Sequence, residues 1–315
     1  MHIITSDKFL VDLHEKHRFP MDKYSILESI VVGKLGKKIN LSRAQLADIK
    51  LLQLAHSDQY VEKVLTGNLT RIELQKIGFP WSDNLILRAR MSVGATIAAL
   101  SWAKKESVSV SLAGGTHHAK YAEASGFCLF NDVAIATIHQ LRADNEARVL
   151  VVDCDVHQGD GTAEILENYD RAYTFSIHSA RNYPHQKVFG NYDIELSDGT
   201  GDVEYLEKLS EGLLRAITKF SPSIIFFNAG VDVHAKDRLG RLKLTTEGLR
   251  NRDAVVFELA RSCSASVVAV MGGGYGDSAI QIADLHYQTV EQAYNSWRLI
   301  NYQDTSSNES SGQLS

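Results

Sequence analysis

Five short segments of this 315-residue chain are rich in Val, Ile or Phe, and most of them lack an alternating polar face. They cover residues 108–112, 149–152, 173–177, 224–227 and 267–271. A strand that is apolar on both sides is buried on both sides, as in a parallel sheet covered by helices. These segments therefore predict the inner strands of a parallel sheet.

Three longer segments carry apolar residues at helical spacing and alternate with the predicted strands. They cover residues 85–104, 203–220 and 246–262. Strands that alternate with helices form βαβ units with right-handed crossovers. No Pro-, Gly- or Ser-rich linker interrupts the interior, so we expect one domain over residues 1–300. The polar, Ser-rich residues 301–315 are expected to form a disordered tail.

The composition restricts the compartment and the partners. The formal net charge of −5, with acidic and basic residues intermixed, argues against a nucleic-acid partner. The cysteines Cys128, Cys154 and Cys263 form no CxxC pair, which favours a reducing compartment. Residues 1–19 lack the basic and apolar regions of a signal peptide, and no window of about 20 residues is uniformly apolar. We therefore expect a cytoplasmic protein without a membrane span; its oligomeric state stays open.

Polar and glycine-rich segments follow four of the predicted strands directly. They cover residues 114–118, 153–161, 228–234 and 272–276, and they contain Asp, His, Gly and Tyr. In open α/β sheets, ligands bind beyond the carboxyl ends of the strands. The four strand ends are therefore expected to converge on one site.

Asp155, His157 and Asp232 are the predicted metal ligands. Asp155 and His157 are two residues apart, so both point to the same side of an extended segment. Asp232 follows another strand and supplies a third ligand. Three protein ligands leave a position open for water, which is typical of a catalytic site. Zn²⁺ suits this mixed set, and Fe²⁺ or Co²⁺ also fits.

His117 and His118 are the predicted acid/base pair. They follow two glycines, and Asp153 and Asp160 are available as carboxylate partners. A carboxylate that holds an imidazole selects its tautomer and raises its basicity. Such a pair can remove a proton from water and return one to a leaving group. The sequence leaves open which histidine is the base.

Tyr275 follows three glycines, which can place its phenol inside a pocket as a donor to an oxyanion. The alternative is a glycine loop that binds an anion through its amides. Phe127, after Gly126, is either part of the core or the wall of a narrow apolar channel. A metal, water, a histidine pair and a phenol together indicate hydrolysis of an amide or ester.

Five motifs in fixed order carry a resemblance to a known family. They are Gly114-Gly115-Thr116-His117-His118, Gly126-Phe127-Cys128-Leu129-Phe130-Asn131-Asp132, Asp153-Cys154-Asp155-Val156-His157 with Gly159-Asp160-Gly161, Asn228-Ala229-Gly230 with Asp232, and Gly272-Gly273-Gly274-Tyr275. Over residues 10–295 the chain resembles the histone deacetylase family, including its bacterial acetylpolyamine and acetoin-utilisation relatives. Residues 14–20 and 56–60 are most similar to class IV deacetylases.

The resemblance implies a single arginase-like α/β domain with a central parallel sheet of eight strands flanked by helices. It implies a hydrolase that removes acetyl or longer acyl groups from lysine side chains of proteins, or from related acylated amines. One Zn²⁺ is implied on Asp155, His157 and Asp232. A structural K⁺ is implied near Asp153, Asp155, His157 and Ser176.

The resemblance also implies roles for the remaining site residues. The implied catalytic residues are His117, His118, Tyr275, Asp153 and Asp160. The implied substrate-binding residues are Gly126, whose carbonyl accepts from the substrate amide, Phe127, which lines the acyl-lysine tunnel, Tyr183 as the second aromatic wall, and Gly273.

Departures from the family pattern concern the substrate. Class I enzymes carry an acidic residue on a loop that corresponds to residues 78–83, and Asp83 is not assigned to that role. Tyr183 stands in place of Phe, and Asp160 stands where animal class IV enzymes are expected to carry Asn. The likeness to class IV favours a longer acyl group if the tunnel continues past the metal.

Three alternative functions remain to be weighed. One is an acylpolyamine or other small-molecule deacetylase with the same chemistry. Another is a non-hydrolytic acyl-lysine binding module, which the intact set of ligands, histidines and Tyr275 disfavours. The third is a two-metal ureohydrolase, which needs an Asp-x-Asp pair at Asp232; residue 234 is His234, so the second metal lacks ligands.

Overall fold

The computed structural model describes residues 1–6, 11–15 and 17–309, and in the last helix it describes side chains only as far as Asn301. Eight parallel strands form one sheet in the order β2-β1-β3-β8-β7-β4-β5-β6. The strands are β1 (His2–Thr5), β2 (Asn40–Arg43), β3 (Val108–Ser111), β4 (Val149–Asp153), β5 (Ala172–Ser179), β6 (Tyr192–Leu196), β7 (Ile224–Asn228) and β8 (Ser266–Val270). The predicted single domain with an eight-stranded parallel sheet is confirmed.

Helices cover both faces of the sheet. They are α1 (Lys23–Leu35), α2 (Ile49–Leu52), α3 (Asp58–Leu65), α4 (Arg71–Ile77), α5 (Asp83–Glu106), α6 (Asp132–Ala143), α7 (Asp160–Leu166), α8 (Asp202–Phe220), α9 (Thr246–Ser262) and α10 (Ala279–Glu309), with a 3₁₀ turn at Gly36–Lys38. The helices predicted at 85–104, 203–220 and 246–262 correspond to α5, α8 and α9.

The five predicted strands are the five neighbours β3, β8, β7, β4 and β5 at the centre of the sheet. Their side chains alternate between two apolar layers. Leu150 and Val152 of β4 pack in the layer that contains residues of α1, α8, α9 and α10, and Val149 and Val151 pack in the layer of α5 and α6. Because both faces are covered, β4, β7 and β8 are apolar along most of their length. Strands β3 and β5 are also buried but include Ser, Thr and His residues.

The parallel register brings the ends of the central strands to one level. Asp153 of β4 pairs with Asn228 of β7, and Asn228 pairs with Val270 of β8. The segments that follow these strands therefore start side by side at the carboxyl edge. This alignment positions the candidate site.

Two further expectations concern the ends of the chain and the membrane. Helix α10 continues to Glu309, beyond the predicted domain end at residue 300. Residues 310–315 of the predicted tail lie outside the described part, so its disorder stays a prediction. In the part of the chain that the structure describes, no helix has the length and apolar character to cross a membrane.

Candidate metal and catalytic site

Asp155, His157 and Asp232 meet at the carboxyl edge of the sheet. One ligand atom from each residue lies within 4.8 Å of the other two, and all three residues are buried. His157 Nδ1 lies 2.9 Å from Asp155 Oδ1 and 3.1 Å from Asp232 Oδ2. The arrangement brings two carboxylates and one imidazole together, as the spacing predicted, and such a donor set suits a divalent transition metal.

The electrostatics of Asp232 fit a bound cation. Its Oδ2 atom is buried, and among the described residues it accepts no hydrogen bond of good geometry, although His157 Nδ1 lies 3.1 Å away. Burial and the charge of Asp155 raise the pKa of Asp232 to about 7. Two buried carboxylates at this distance repel each other, and a cation between them removes that repulsion. The residues present therefore fit a metal ion.

Backbone amides from neighbouring loops orient the carboxylates. Gly273 N–H donates to Asp155 Oδ2 at 2.7 Å, and Val156 N–H donates to Asp232 Oδ1 at 2.9 Å. A Cβ on Gly273 would lie 2.1 Å from Asp232 Oδ2. Only a residue without a side chain can therefore bring its amide this close to both ligands.

His117 is held by Asp153 behind the ligand group. Its Nδ1–H donates to Asp153 Oδ2 at 2.7 Å. Asp153 Oδ1 accepts from Asn228 Nδ2 at 3.0 Å and from Asp155 N–H at 3.1 Å. Burial disfavours the charged imidazole, but the carboxylates of Asp153 and Asp155 raise the pKa of His117 to about 9.

His118 forms a second dyad with Asp160, the first residue of α7. Its Nδ1–H donates to Asp160 Oδ1 at 2.6 Å, and Lys120 Nζ lies 3.5 Å from Asp160 Oδ2. Burial and the neighbouring charge of His117 lower the pKa of His118 to about 4. The two imidazoles, with ring centres 4.1 Å apart, are thus driven to opposite protonation states near neutral pH.

Aromatic rings line the approach to the ligands. The Phe127 ring centre lies 5.2 Å from that of Phe79, 5.4 Å from Phe19 and 5.8 Å from Tyr275. Phe127 has a φ of 67°, and its N–H donates to Ile77 O at 2.8 Å. A non-glycine residue in the left-handed region is uncommon, and here the α4 end holds the wall residue in it.

Tyr275 lies on the loop after β8 with its side chain buried. Its N–H donates to Asp237 Oδ2 at 2.6 Å, and its ring centre is 6.3 Å from that of His157. Burial and the charges of Asp155 and Asp232 hold the pKa of the phenol well above its ordinary value. The group therefore stays protonated and can act as a donor.

A cavity of about 60 Å³ lies between the ligand group and the apolar layer of α5. Its walls combine polar residues of the site with aromatic and aliphatic side chains from α1, α5 and the 126–130 segment. Those used below are Asp155, His117, Gly126, Phe127, Tyr275, Leu85 and Leu129. Phe127 is one of the residues that line this cavity, and its role as the wall of a channel stays a prediction.

The structure places the remaining predicted substrate residues as follows. Tyr183 packs edge-on against His118 with ring centres 4.9 Å apart and is 39% exposed, so it borders the site. Gly126 O accepts from Cys128 Sγ at 3.3 Å. Asp83 is the first residue of α5, and Ser82 caps that helix. The negative charge of Asp83 therefore lies at the N-terminus of α5, where it interacts favourably with the helix dipole.

Three residues of the site were not assigned a role from the sequence. Asn228 donates a hydrogen bond to Asp153. The only feature of the sequence that pointed to this residue was its position at the end of a predicted strand. Lys23, the first residue of α1, is 1% exposed, and its Nζ donates to Gly272 O at 3.3 Å. Nothing in the sequence indicates that this lysine is buried. Asp237 positions Tyr275 from a loop whose course the sequence does not show.

The chain is similar to known proteins in both sequence and fold. The histone deacetylase domain family matches residues 17–290. An uncharacterized protein of Picosynechococcus is 37% identical, over 91% of this chain and 95% of its own length. Histone deacetylase 2 of Arabidopsis thaliana is 28% identical over 88% of this chain and 74% of its own. The crystal structure of the HDA15 HD domain superposes with a TM-score of 0.77 at 20% identity, covering 96% of each chain.

Proposed function

This chain belongs to the histone deacetylase family, and we propose that it is a zinc-dependent deacylase that hydrolyses the amide of acylated lysine side chains. The observation that carries the proposal is the meeting of Asp155, His157 and Asp232 beside two His–Asp dyads and a buried phenol. A hydrolysis site needs these parts together: an electrophilic centre, a base and an oxyanion donor.

Asp155, His157 and Asp232 would hold the metal. A bound Zn²⁺ supplies Lewis acidity toward the substrate carbonyl and toward water. Gly273 N–H and Val156 N–H keep the carboxylates in place through the 2.7 Å and 2.9 Å hydrogen bonds. The identity of the ion as zinc rather than iron is part of the proposal.

His118 is the proposed general base and His117 the proposed cationic partner. With a pKa lowered to about 4, His118 is neutral at pH 7, and its Nε2 can accept a proton from water because Asp160 holds Nδ1. His117, with a pKa raised to about 9, carries a positive charge that stabilises developing negative charge. The proton on His118 then passes to the leaving amine.

Tyr275→Phe tests the proposed oxyanion donor. The ring stays, so its contacts with Phe127 and His157 stay, and only the phenol hydrogen is lost. Turnover is expected to fall about 10²–10³-fold, with a much smaller change in KM, because the contact strengthens as charge develops. Tyr287→Phe is the matched control, since Tyr287 is a buried tyrosine of α10. Equal losses in binding and turnover would assign Tyr275 a packing role.

The size of the cavity bears on the acyl group. The cavity beside Leu85 and Leu129 has a volume of about 60 Å³. We infer that it accepts an acetyl or short acyl group and that a myristoyl chain would overpack it. The volume therefore favours short acyl groups, against the longer chain that the likeness to class IV enzymes suggested.

A series of acyl-lysine peptides tests both the reaction and the chain length. We expect kcat/KM to be highest for acetyl or a short acyl group and to fall about 10-fold or more at myristoyl, because overpacking costs about 1–3 kcal/mol. Acetylpolyamines assayed in parallel test the small-molecule alternative, and a hydroxamate inhibitor controls for contaminating hydrolases. A steady rise of kcat/KM towards myristoyl would reject the short-chain assignment.

We also propose the structural K⁺ site that the family resemblance implies near Asp153, Asp155, His157 and Ser176. Asp153 of β4 pairs with Ser176 of β5 in the sheet, and Ser176 Oγ lies 2.9 Å from His178 Nδ1. Backbone carbonyls near Asp153, Asp155 and His157 are the proposed ligands of this monovalent cation. Its proposed role is structural, since it would stiffen the segment that carries two ligands of the metal.

A further inference from the structure

Arg252 on α9 is a fully buried cation close to the metal-ligand loops. It is 0% exposed and has the largest side chain among the fully buried residues described. Its Nη1 donates to the backbone carbonyl of Gly230 and, at 3.4 Å, to that of Cys154. The guanidinium therefore links the loop that carries Asp155 to the loop that carries Asp232.

The two loops are in tight contact at this point. Cys154 directly precedes Asp155, and Gly230 lies two residues before Asp232. A Cβ on Gly230 would lie 2.4 Å from Asp155 Oδ2 and 2.8 Å from Asp155 Cα. A small shift of either loop therefore changes the distance between the carboxylates of Asp155 and Asp232. The guanidinium of Arg252 holds the backbone of both loops through its hydrogen bonds to Gly230 O and Cys154 O.

The charge of Arg252 is balanced within the core. Arg252 Nε donates to Asp253 Oδ1 at 2.8 Å, and Nη2 lies 2.7 Å from the same oxygen. Asp253 Oδ2 accepts from Thr289 Oγ1 of α10 at 2.6 Å. A planar guanidinium held on one edge by a carboxylate has its other edge directed in a defined orientation. Asp253 and Thr289 therefore direct Nη1 at the two carbonyls.

We propose that Arg252 is a positioning residue that sets the spacing of Asp155 and Asp232 for metal binding. The inference rests on the proposed metal site. Arg252 touches neither metal nor substrate; it acts through the backbone of the two ligand loops. Groups that orient metal ligands in this way typically change metal affinity about 10–100-fold when they are replaced.

Arg252→Lys is the main test. Lysine keeps the positive charge beside Asp253, but a single ammonium cannot replace a fork that holds the carboxylate and both carbonyls. Zn²⁺ and Co²⁺ affinities are measured by chelator competition on purified full-length protein. We expect the dissociation constant to rise about 10-fold or more. Val256→Ala is the matched control, because Val256 is a fully buried residue of the same helix.

The possible results are distinguishable. A tenfold loss in Arg252→Lys alone supports the inference; wild-type affinity, or an equal loss in Val256→Ala, overturns it. If Arg252→Lys does not fold, the double variant Arg252→Met with Asp253→Asn removes both buried charges and is tested instead. A tenfold loss of metal affinity in it supports the inference, and wild-type affinity overturns it. Wild-type protein that binds metal no better than Asp155→Ala overturns the proposed metal site and the inference with it.

Discussion

Asp232→Ala is expected to remove bound metal and hydrolytic activity together. Asp232 is 0% exposed and contributes the only ligand of the three from the loop after β7. Two remaining ligands bind a divalent ion weakly, and metal stabilisation of transition-state charge is worth several kcal/mol. Turnover is therefore expected to fall on the order of 10³-fold or more.

Metal content by elemental analysis and kcat on an acetyl-lysine peptide are the two measurements. Asp155→Ala and His157→Ala should give the same pair of losses. Asp198→Asn is the control, because Asp198 is a partly exposed carboxylate that pairs with Arg241 at the surface. Retained metal and turnover in two of the three ligand variants would overturn the assignment.

His118→Ala is expected to lower turnover about 10²–10⁴-fold while metal content stays close to that of the wild type. The reason is that His118 is hydrogen-bonded to Asp160 and is not one of the three candidate metal ligands. Because burial and the charge of His117 lower the pKa of His118 to about 4, the base needs no deprotonation at pH 7. Loss of this residue therefore removes the proton acceptor itself.

The measurement combines kcat, metal content and the pH dependence of kcat/KM. His139→Ala is the matched control, because His139 lies on α6 away from the ligands and is only partly buried. His117→Ala should also retain the metal, but it should lose the positive charge that is proposed to stabilise the developing negative charge. Wild-type turnover in both histidine variants, or loss of metal in His118→Ala, would show that the proposed mechanism is wrong.

The inner strands were predictable because their environment repeats along the whole strand. In β4 the side chains of Leu150 and Val151 enter opposite apolar layers, so the strand is apolar without a break. The strands β1, β2 and β6 were missed. The edge strands are β2 and β6, where residues such as Asn40 and Glu195 are exposed and interrupt the apolar pattern. Strand β1 lies between β2 and β3 and has only four residues, which is too short for a clear pattern.

The sequence by itself determined which side chains meet at the candidate site. Asp155 and His157 are two residues apart after a central strand, and Asp232 follows the neighbouring strand β7, so parallel pairing alone brings them to one edge. The same argument covers His117, His118 and Tyr275. Each of these predictions depends on local spacing and on the common level of the strand ends.

Only the tertiary structure decided how these groups are held and how much space they enclose. Arg252 reaches the carbonyl of Cys154 across 98 residues, and Lys23 reaches that of Gly272 across 249. Such contacts depend on the packing of helices against the sheet, which hydrophobic spacing does not encode. The cavity volume likewise depends on how side chains from distant segments, such as Leu85 of α5 and Leu129, come together around it. Local sequence spacing therefore determines which residues form the candidate metal-ligand group. The distances between those residues and the size of the cavity depend on long-range packing.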